Sequence, residues 1–398
     1  MLKKVLLISL TFLLFSCGTT KIDSDSTSKN GENQNTQKTE TKKETGKIKL
    51  LFAGDVMAHE ENFLPGKFDR IWKYVSSKIQ EADLAFCNLE SPVMDSKGWR
   101  AYPSFNMHTD YVEEAIKAGF DVFSLANNHT NDQYLKGINS TRNYFKQKRD
   151  NNEEIWAAGL REKANAPLTY QLIEKKSKDG SKWKILFVAI TELLNKNDYS
   201  EYIDYYPSTT TARKKLKNEL KKLQTENEYD LFVVSMHNDE PEYILKPSTD
   251  HKNFCNQLIN ECKVDIVWSN HPHVVQDWEK VESTDGRNAF IMYANGNTIA
   301  GQRRTPHFEN PANSFDYRGE GIFMEMDFEK NKDGKIEIKK YEPHLITVMI
   351  ASEGRYVIRF LTNEFLDILD EAEYLKWKNY LSERKRLMEA YLPKLKSN

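Results

Sequence analysis

At 398 residues the chain has room for a sizeable buried core and for two or three domains of ordinary size or one large one. Its 57 Lys and Arg stand against 59 Asp and Glu, so no basic excess is available to neutralise a phosphate backbone, and nucleic acid is not an expected partner. Four cysteines are too few for a disulfide framework, and a composition of 39% hydrophobic and 29% charged residues describes a globular chain with a very polar surface or some disordered chain.

Lys3 and Lys4 precede the apolar run Val5–Phe15, which is shorter than the roughly 20 residues a membrane-spanning helix needs and reads as a secretory signal. The run ends in Leu14-Phe15-Ser16-Cys17-Gly18, a sequence that resembles the lipobox of bacterial lipoproteins. That resemblance implies a signal over residues 1–17, a lipid on Cys17, and an exported chain anchored to the cell membrane or outer membrane; the plainer alternative is a cleaved signal with a chance cysteine. Residues 18–46 are Thr, Ser, Asn, Gln, Lys and Glu with almost no large apolar side chain, too little to offset ordering entropy, and are expected to form a disordered tether. The folded part is then divided into a main domain over 47–345 and a strand and helical extension over 346–398. No later segment is apolar enough to span a membrane.

From Lys47 onward, short β-type apolar runs stop at residues able to bind metal. Ile48–Ala53 stops at Gly54-Asp55, Leu84–Cys87 at Asn88-Leu89-Glu90, and Val122–Ala126 at Asn127-Asn128-His129. Leu231–Met236 ends at His237, Val264–Trp268 leads to His271-Pro272-His273, and Phe290–Tyr293 leads to Asn295-Gly296-Asn297. Between them lie helical patterns such as Tyr111–Ala118 and Thr210–Leu223, the latter with Ala212, Leu216, Leu220 and Leu223 on one face. Strands alternating with helices predict an α/β fold. In open α/β sheets the ligand site lies beyond the carboxyl ends of the strands, so these segments are expected to meet in one cleft.

Carboxylate, imidazole and amide oxygen suit Zn, Mn or Fe, and no cysteine pair has the spacing of a zinc ribbon. Singly the signals have plain readings: an Asp after a strand is commonly a turn or cap, Asn127-Asn128 is compatible with a loop, and a lone His237 with a satisfied core histidine. His271-Pro272-His273 reads more strongly, as an extended His-x-His aiming both rings one way.

Taken in order, Gly54-Asp55-Val56-Met57, Asn88-Leu89-Glu90, Leu125-Ala126-Asn127-Asn128-His129 with Asp132, His237, His271-Pro272-His273-Val274 and Gly296-Asn297 resemble the CapA family of bacterial capsule or poly-γ-glutamate synthesis proteins. That family is similar to the calcineurin-like metallophosphoesterases. The resemblance runs from about Lys47 to Tyr341. It implies a metallophosphoesterase-like β-sandwich flanked by helices around one or two divalent metal ions, followed here by the C-terminal helical extension. It further implies that Asp55, Glu90 and His273 hold a first ion, that Glu90, Asn128, His237 and His271 hold a second, and that His129 protonates a leaving group with Asp132 as its orienter. Two departures bear on catalysis. Met57 stands where the wider superfamily has a metal-binding histidine, leaving His59 or water to fill in, and Glu90 stands in place of a bridging aspartate. After His237, the segment Asn238–Tyr243 keeps only the later Glu-Tyr of the family pattern.

The function implied is that of an exported, metal-dependent hydrolase acting on a phosphoester or a polymer amide such as a γ-glutamyl link, with an anionic polymer or phosphoester as substrate and a capsule-synthesis complex as partner. The rival is a non-catalytic component of polymer synthesis or export with a degenerate metal site; a third reading is a metal-free substrate-binding lipoprotein.

Trp99–Phe105 is read either as a wall of the substrate cleft or as a strand and turn packed on the sheet, and Arg303-Arg304 either as an anion site or as surface charge. His108, His251, His307 and His344 are assigned no role. Glu364–Leu392 predicts a helix or helix pair with Asn363 as cap, Pro393 as terminator and an exposed Trp377–Tyr380 patch as a docking candidate.

Overall fold

The computed structural model describes residues 45–351, 354–370 and 374–397. The signal, Cys17 and all of the tether except Thr45 and Gly46 therefore lie outside the described residues, and Gly46 already belongs to a strand.

Strand β1 (Gly46–Val56) leads through three short helices, α1 (Glu60–Phe63), α2 (Asp69–Trp72) and α3 (Ser76–Glu81). Then β2 (Leu84–Leu89), α4 (Thr109–Ala118), β3 (Val122–Ser124), α5 (Tyr134–Asp150) and β4 (Trp156–Ala158) alternate. A second series comprises β5 (Gln171–Lys176), β6 (Lys182–Thr191), α6 (Thr210–Glu226), β7 (Leu231–His237), α7 (Thr249–Cys262), β8 (Ile266–Asn270), β9 (Trp278–Glu282) and β10 (Asn288–Met292). Strands β11 (Asn297–Ile299), β12 (Glu320–Lys330), β13 (Ile336–Ile350) and β14 (Tyr356–Phe360) precede α8 (Asn363–Asp367) and α9 (Leu375–Tyr391).

The strands form two sheets. The first runs β14-β13-β12-β1-β2-β3-β4, with β11 also pairing β1, and the second runs β5-β6-β7-β8-β10-β9. Within them β1, β2, β3 and β4 are mutually parallel, as are β6, β7, β8 and β10.

Leu50, Phe52 and Phe86 of the first sheet face Ile185, Phe187, Val233 and Trp268 of the second in one buried cluster. Phe52 stacks on Phe86 at 4.6 Å, Phe86 meets Phe187 edge-on at 5.6 Å, and the Trp268 indole N–H donates to the Ala53 carbonyl at 2.9 Å. Leu51, Ala53, Ala85 and Cys87 point the other way, onto Tyr111, Val112 and Ala115 of α4. Leu186, Val188 and Val234 likewise meet Leu216 and Leu220 of α6 and Phe254 and Leu258 of α7. Burial on both faces explains why these strands read as continuous apolar runs rather than alternating ones. The result is α/β, a two-sheet sandwich flanked by helices. Cys87, Cys255 and Cys262 are buried free thiols.

The border at 345/346 falls inside β13, which pairs with β12 on both sides of it, so the first part of the extension belongs to the main sheet. The C-terminal helices form a pair, but the cap is Thr362 rather than Asn363: its extended backbone aims the hydroxyl at the Phe365 N–H. Tyr380 is buried, with Phe308 packed against both it and Trp377, so those rings form an internal contact and not an exposed patch. Among the described residues no helix is long and apolar enough to cross a membrane.

Candidate metal centre

The carboxyl ends of parallel strands bring the polar motifs together. Asp55 lies in register with Asn88 on β2 and with Asn297 on β11, and His237 pairs with Asn270, one residue before His271. At Gly54 the chain passes so close to β11 that a Cβ would lie 1.8 Å from the Gly296 carbonyl oxygen. Only glycine permits that approach, which is fixed by the Asp55 N–H donating to the same oxygen at 3.0 Å.

Two groups of donors result, each with ligand atoms mutually within 4.8 Å: Asp55, Glu90 and His273, and Glu90, His237 and His271. Glu90 belongs to both. Its Oε1 lies 3.6 Å from His273 Nε2 and 3.7 Å from His237 Nε2. His273 Nδ1 is 3.2 Å from Asp55 Oδ2, and the His237 and His271 rings approach to 3.2 Å between Nε2 and Nδ1. Asn128 joins the second group, its Oδ1 lying 2.9 Å from His237 Nε2. All six side chains are buried.

Burial and the adjacent Asp55 carboxylate push Glu90 well above the usual carboxylate range. Burial also drives His237 well below its ordinary value, reinforced by His271 and His273, and lowers His271 to about 4 with His273 as the next cause. At His273 burial opposes protonation, but the hydrogen bond and charge of Asp55 outweigh it and raise the pKa. His237 and His271 are thus held as neutral imidazoles, the form in which histidine binds metal. A cation fits this donor set, because Glu90 Oε1 is buried without a hydrogen-bond partner and faces rings from both groups.

The paired histidines do not sit in an extended loop. His271 has φ 110° and His273 φ 56°, conformations that side chains other than glycine rarely adopt. The bend separates the ring centroids by 5.9 Å and sends each ring to a different side of Glu90, where an extended segment would have aimed them together.

His129 follows Asn128 directly. Its Nδ1 is 2.7 Å from Asp132 Oδ2, and Asn195 Nδ2 lies 3.3 Å from Nδ1 and 3.4 Å from Nε2. The Phe105 ring meets the imidazole edge-on at 4.6 Å, while the Phe105 N–H donates to Asp132 at 2.7 Å.

His59 does not replace the missing histidine: it is in neither donor group, and its Nδ1 accepts the Gly301 N–H at 3.1 Å. Burial lowers its pKa to about 3. Met57 is buried with Phe105 and Ala300. Of Trp99–Phe105, only Phe105 touches His129; Trp99 stacks on Phe63 at 4.9 Å. Arg303 is neither surface charge nor anion site but a buried partner of Glu320, whereas Arg304 reaches Glu61 at 3.2 Å.

His108, His251 and His307 bond or pack elsewhere: His108 against the Lys97 carbonyl, His251 beside Cys255, and His307 on Asp316. His344 falls in a third donor group with Glu325 and Glu342, where Lys49 and Lys78 already neutralise Glu325 at 2.5 and 2.9 Å.

Two positioning residues are assigned no role by the motifs, Asn88 within a strand end and Asn195 outside the pattern. Asn88 donates to Asp55 at 2.8 Å and lies 3.4 Å from Glu90 and 3.3 Å from His237, which ties the groups together. Asn195 lies beyond β6, a strand whose next residues, Glu192-Leu193-Leu194, carry no ligand cluster to mark it.

Residues 49–302 match the family model described as bacterial capsule synthesis protein PGA_cap, a span that contains every donor of the two groups that share Glu90. No match is found among curated proteins. Among solved structures the chain is similar to a hypothetical protein from Thermus thermophilus at 14% identity, covering 75% of this chain and 98% of that one with a TM-score of 0.43. It is also similar to NAD nucleotidase (NadN) of Haemophilus influenzae at 12% identity, 87% and 68% coverage and TM-score 0.43. For the calcineurin-like phosphoesterase YfkN from Bacillus subtilis the identity is 12%, the coverage 88% and 100%, and the TM-score 0.39. With the match extending over all the strand-end motifs from Asp55 to Asn297, this chain belongs to the bacterial capsule synthesis protein PGA_cap family.

Proposed function

We propose that the protein is a metal-dependent hydrolase of a surface polymer or its precursor, cleaving a phosphoester or an amide such as a γ-glutamyl link. The observation that carries this reading is the unpartnered Oε1 of Glu90, shared by a carboxylate–histidine group and a two-histidine group. Asp55, Glu90 and His273 would hold one divalent ion, and Glu90, Asn128, His237 and His271 a second, with Mn, Zn or Fe suited to the donors. Such ions supply Lewis acidity and a water whose pKa falls to about 7.

The chain's own residues divide the remaining work. Asp132 holds His129 through Nδ1, fixing the ring, so that Nε2 is the nitrogen that delivers a proton to the departing oxygen or nitrogen. Phe105 covers one edge of that imidazole and limits access of bulk water to it.

Elemental analysis of purified protein, paired with hydrolysis of a generic phosphodiester and of an oligo-γ-glutamate, tests the proposal. Metal at one or two equivalents is expected, with turnover reduced about 10²–10⁴-fold in His129→Ala. Tightly held metal without turnover of any ester or polyglutamate would instead favour a non-catalytic role in polymer synthesis or export. Met57 favours that second reading, since a buried thioether stands at the superfamily's histidine position.

The lipobox-like sequence ending at Cys17 supports export and lipid anchoring, which would hold the site near the surface where a capsule-synthesis complex assembles. Incorporation of labelled fatty acid that survives Cys17→Ala would refute the anchor.

A further inference from the structure

Beside the metal centre, three residues from two segments form a stack, Phe315 and Arg318 from one turn and Tyr243 from another. The Arg318 guanidinium carbon lies 4.6 Å from the Tyr243 ring centroid and 4.4 Å from that of Phe315, so an aromatic ring lies against it from each of two segments. Both rings reach solvent, Tyr243 at 36% and Phe315 at 54% exposure. Arg318 spends Nε on the Phe315 carbonyl at 3.0 Å, also hydrogen-bonds the Tyr243 side chain and, among the described residues, forms no ion pair with a carboxylate. A guanidinium held in this way presents its terminal nitrogens as a planar fork suited to a carboxylate or phosphate.

The stack is joined to the centre through two links. The Arg318 carbonyl accepts from Asn297 Nδ2 at 2.9 Å, and Asn297 Oδ1 lies 3.1 Å from His273 Nδ1. Tyr243 has φ 66°, its N–H donates to the Pro272 carbonyl at 2.8 Å, and its ring centroid is 6.3 Å from that of His273. The turn carrying Arg318 is itself fixed: buried Asp316 accepts the Tyr380 hydroxyl at 2.8 Å, and a Cβ at Gly319 would overlap the Arg303 guanidinium. The cation is therefore preorganised at the rim of the metal centre, on the His273 side.

We infer that Arg318, clasped by Tyr243 and Phe315, is an anion subsite that binds an acidic group of the substrate next to the bond being cleaved. This rests on the hydrolase reading for its place in turnover, but binding itself does not require turnover. The substrate class it selects is one with a carboxylate or phosphate on the unit adjoining the scissile bond.

Fluorescence anisotropy separates the two ideas. The probes are a labelled oligo-γ-glutamate, its neutral side-chain amide, and a labelled oligo(glycerol phosphate), each with the Mn²⁺-loaded protein and after chelation. Wild type is expected to prefer an acidic probe over the amide, and Arg318→Ala to lose about tenfold or more of its affinity for that probe in both metal states. Arg318→Lys, which keeps the charge without the fork, is expected to recover only part of it and serves as the second variant if the alanine protein is poorly folded. Preference for the glutamate or for the phosphate probe identifies the source of the anion. Equal binding of acid and amide by wild type, or an unchanged preference in both variants, overturns the subsite. Absence of hydrolysis with the preference intact would overturn the hydrolase reading and leave the subsite standing.

Discussion

Glu90 is the residue on which most of the local energetics converge. A carboxylate buried next to Asp55, with one oxygen unpartnered, is unfavourable when ionised unless positive charge lies beside it. Glu90→Gln keeps the shape and removes that charge. The metal-free variant is therefore expected to be at least as stable as metal-free wild type, while losing most of the rise in Tm that wild type gains from Mn²⁺ or Zn²⁺. Thermal unfolding with and without chelator reads both, and an undiminished metal-dependent rise would show that Glu90 is not shared by the ions. His271 and His273 carry a different cost, since each holds positive φ without being glycine. His273→Gly would relax the backbone but remove the imidazole paired with buried Asp55 and leave a cavity, so a net loss of stability accompanied by lost metal is the expected pattern, checked by urea unfolding and elemental analysis.

At the scale of elements, the buried ion pairs around Glu320 fasten the C-terminal helix to the segment before β12. Arg384 on α9 places Nη2 2.5 Å from Glu320 Oε2, and Arg303 places Nη1 2.5 Å from Oε1. Removing one cation leaves buried charge uncompensated, so Arg384→Ala is expected to destabilise the fold by about 3–5 kcal/mol, measured by chemical denaturation. None of this was legible locally: Arg303 reads as a surface residue until Glu320 and Arg384, distant in sequence, are folded around it. The strand ends were legible because an apolar run that stops at a polar ligand type marks both the strand and its terminus, as at Asp55, Glu90 and His237. Strand β6 passed unnoticed because Asn195, the residue that reaches His129, comes after an intervening stretch of loop. The bend at His271-Pro272-His273 was invisible for another reason: positive φ is ordinarily announced by glycine, and none is there. His59 failed as a substitute ligand because the Gly301 amide, supplied from far along the chain, occupies its Nδ1.

For the whole molecule, bound metal and pH both act on the folding equilibrium. Ions that bind only the folded state add stability that grows with the logarithm of their concentration, so chelation is expected to lower Tm and graded Mn²⁺ to restore it. Proton linkage offers a test away from the metal centre. Asp121, which accepts the Ala85 N–H at 2.9 Å, is raised by burial from 3.8 to about 6. Between those values the folded chain holds a proton that the unfolded chain has released. The Asp121 contribution is thus fully present below about pH 4 and is lost as pH rises through about 6, a change of about 2–3 kcal/mol. Comparing urea unfolding of wild type and Asp121→Asn from pH 4 to 7 isolates it, and parallel profiles for the two proteins would remove Asp121 as the source.

The pairing of β1 reaches past the stretch by which the family is recognised. That stretch ends at residue 302, yet β1 is paired over Gly46–Phe52 to β12, which begins at Glu320. A fragment trimmed to the matched residues would keep every donor around Glu90 but strip the neighbour from the strand that carries Asp55, leaving an open ladder prone to self-association. The boundary of what identifies this chain is therefore not a boundary at which it can be cut.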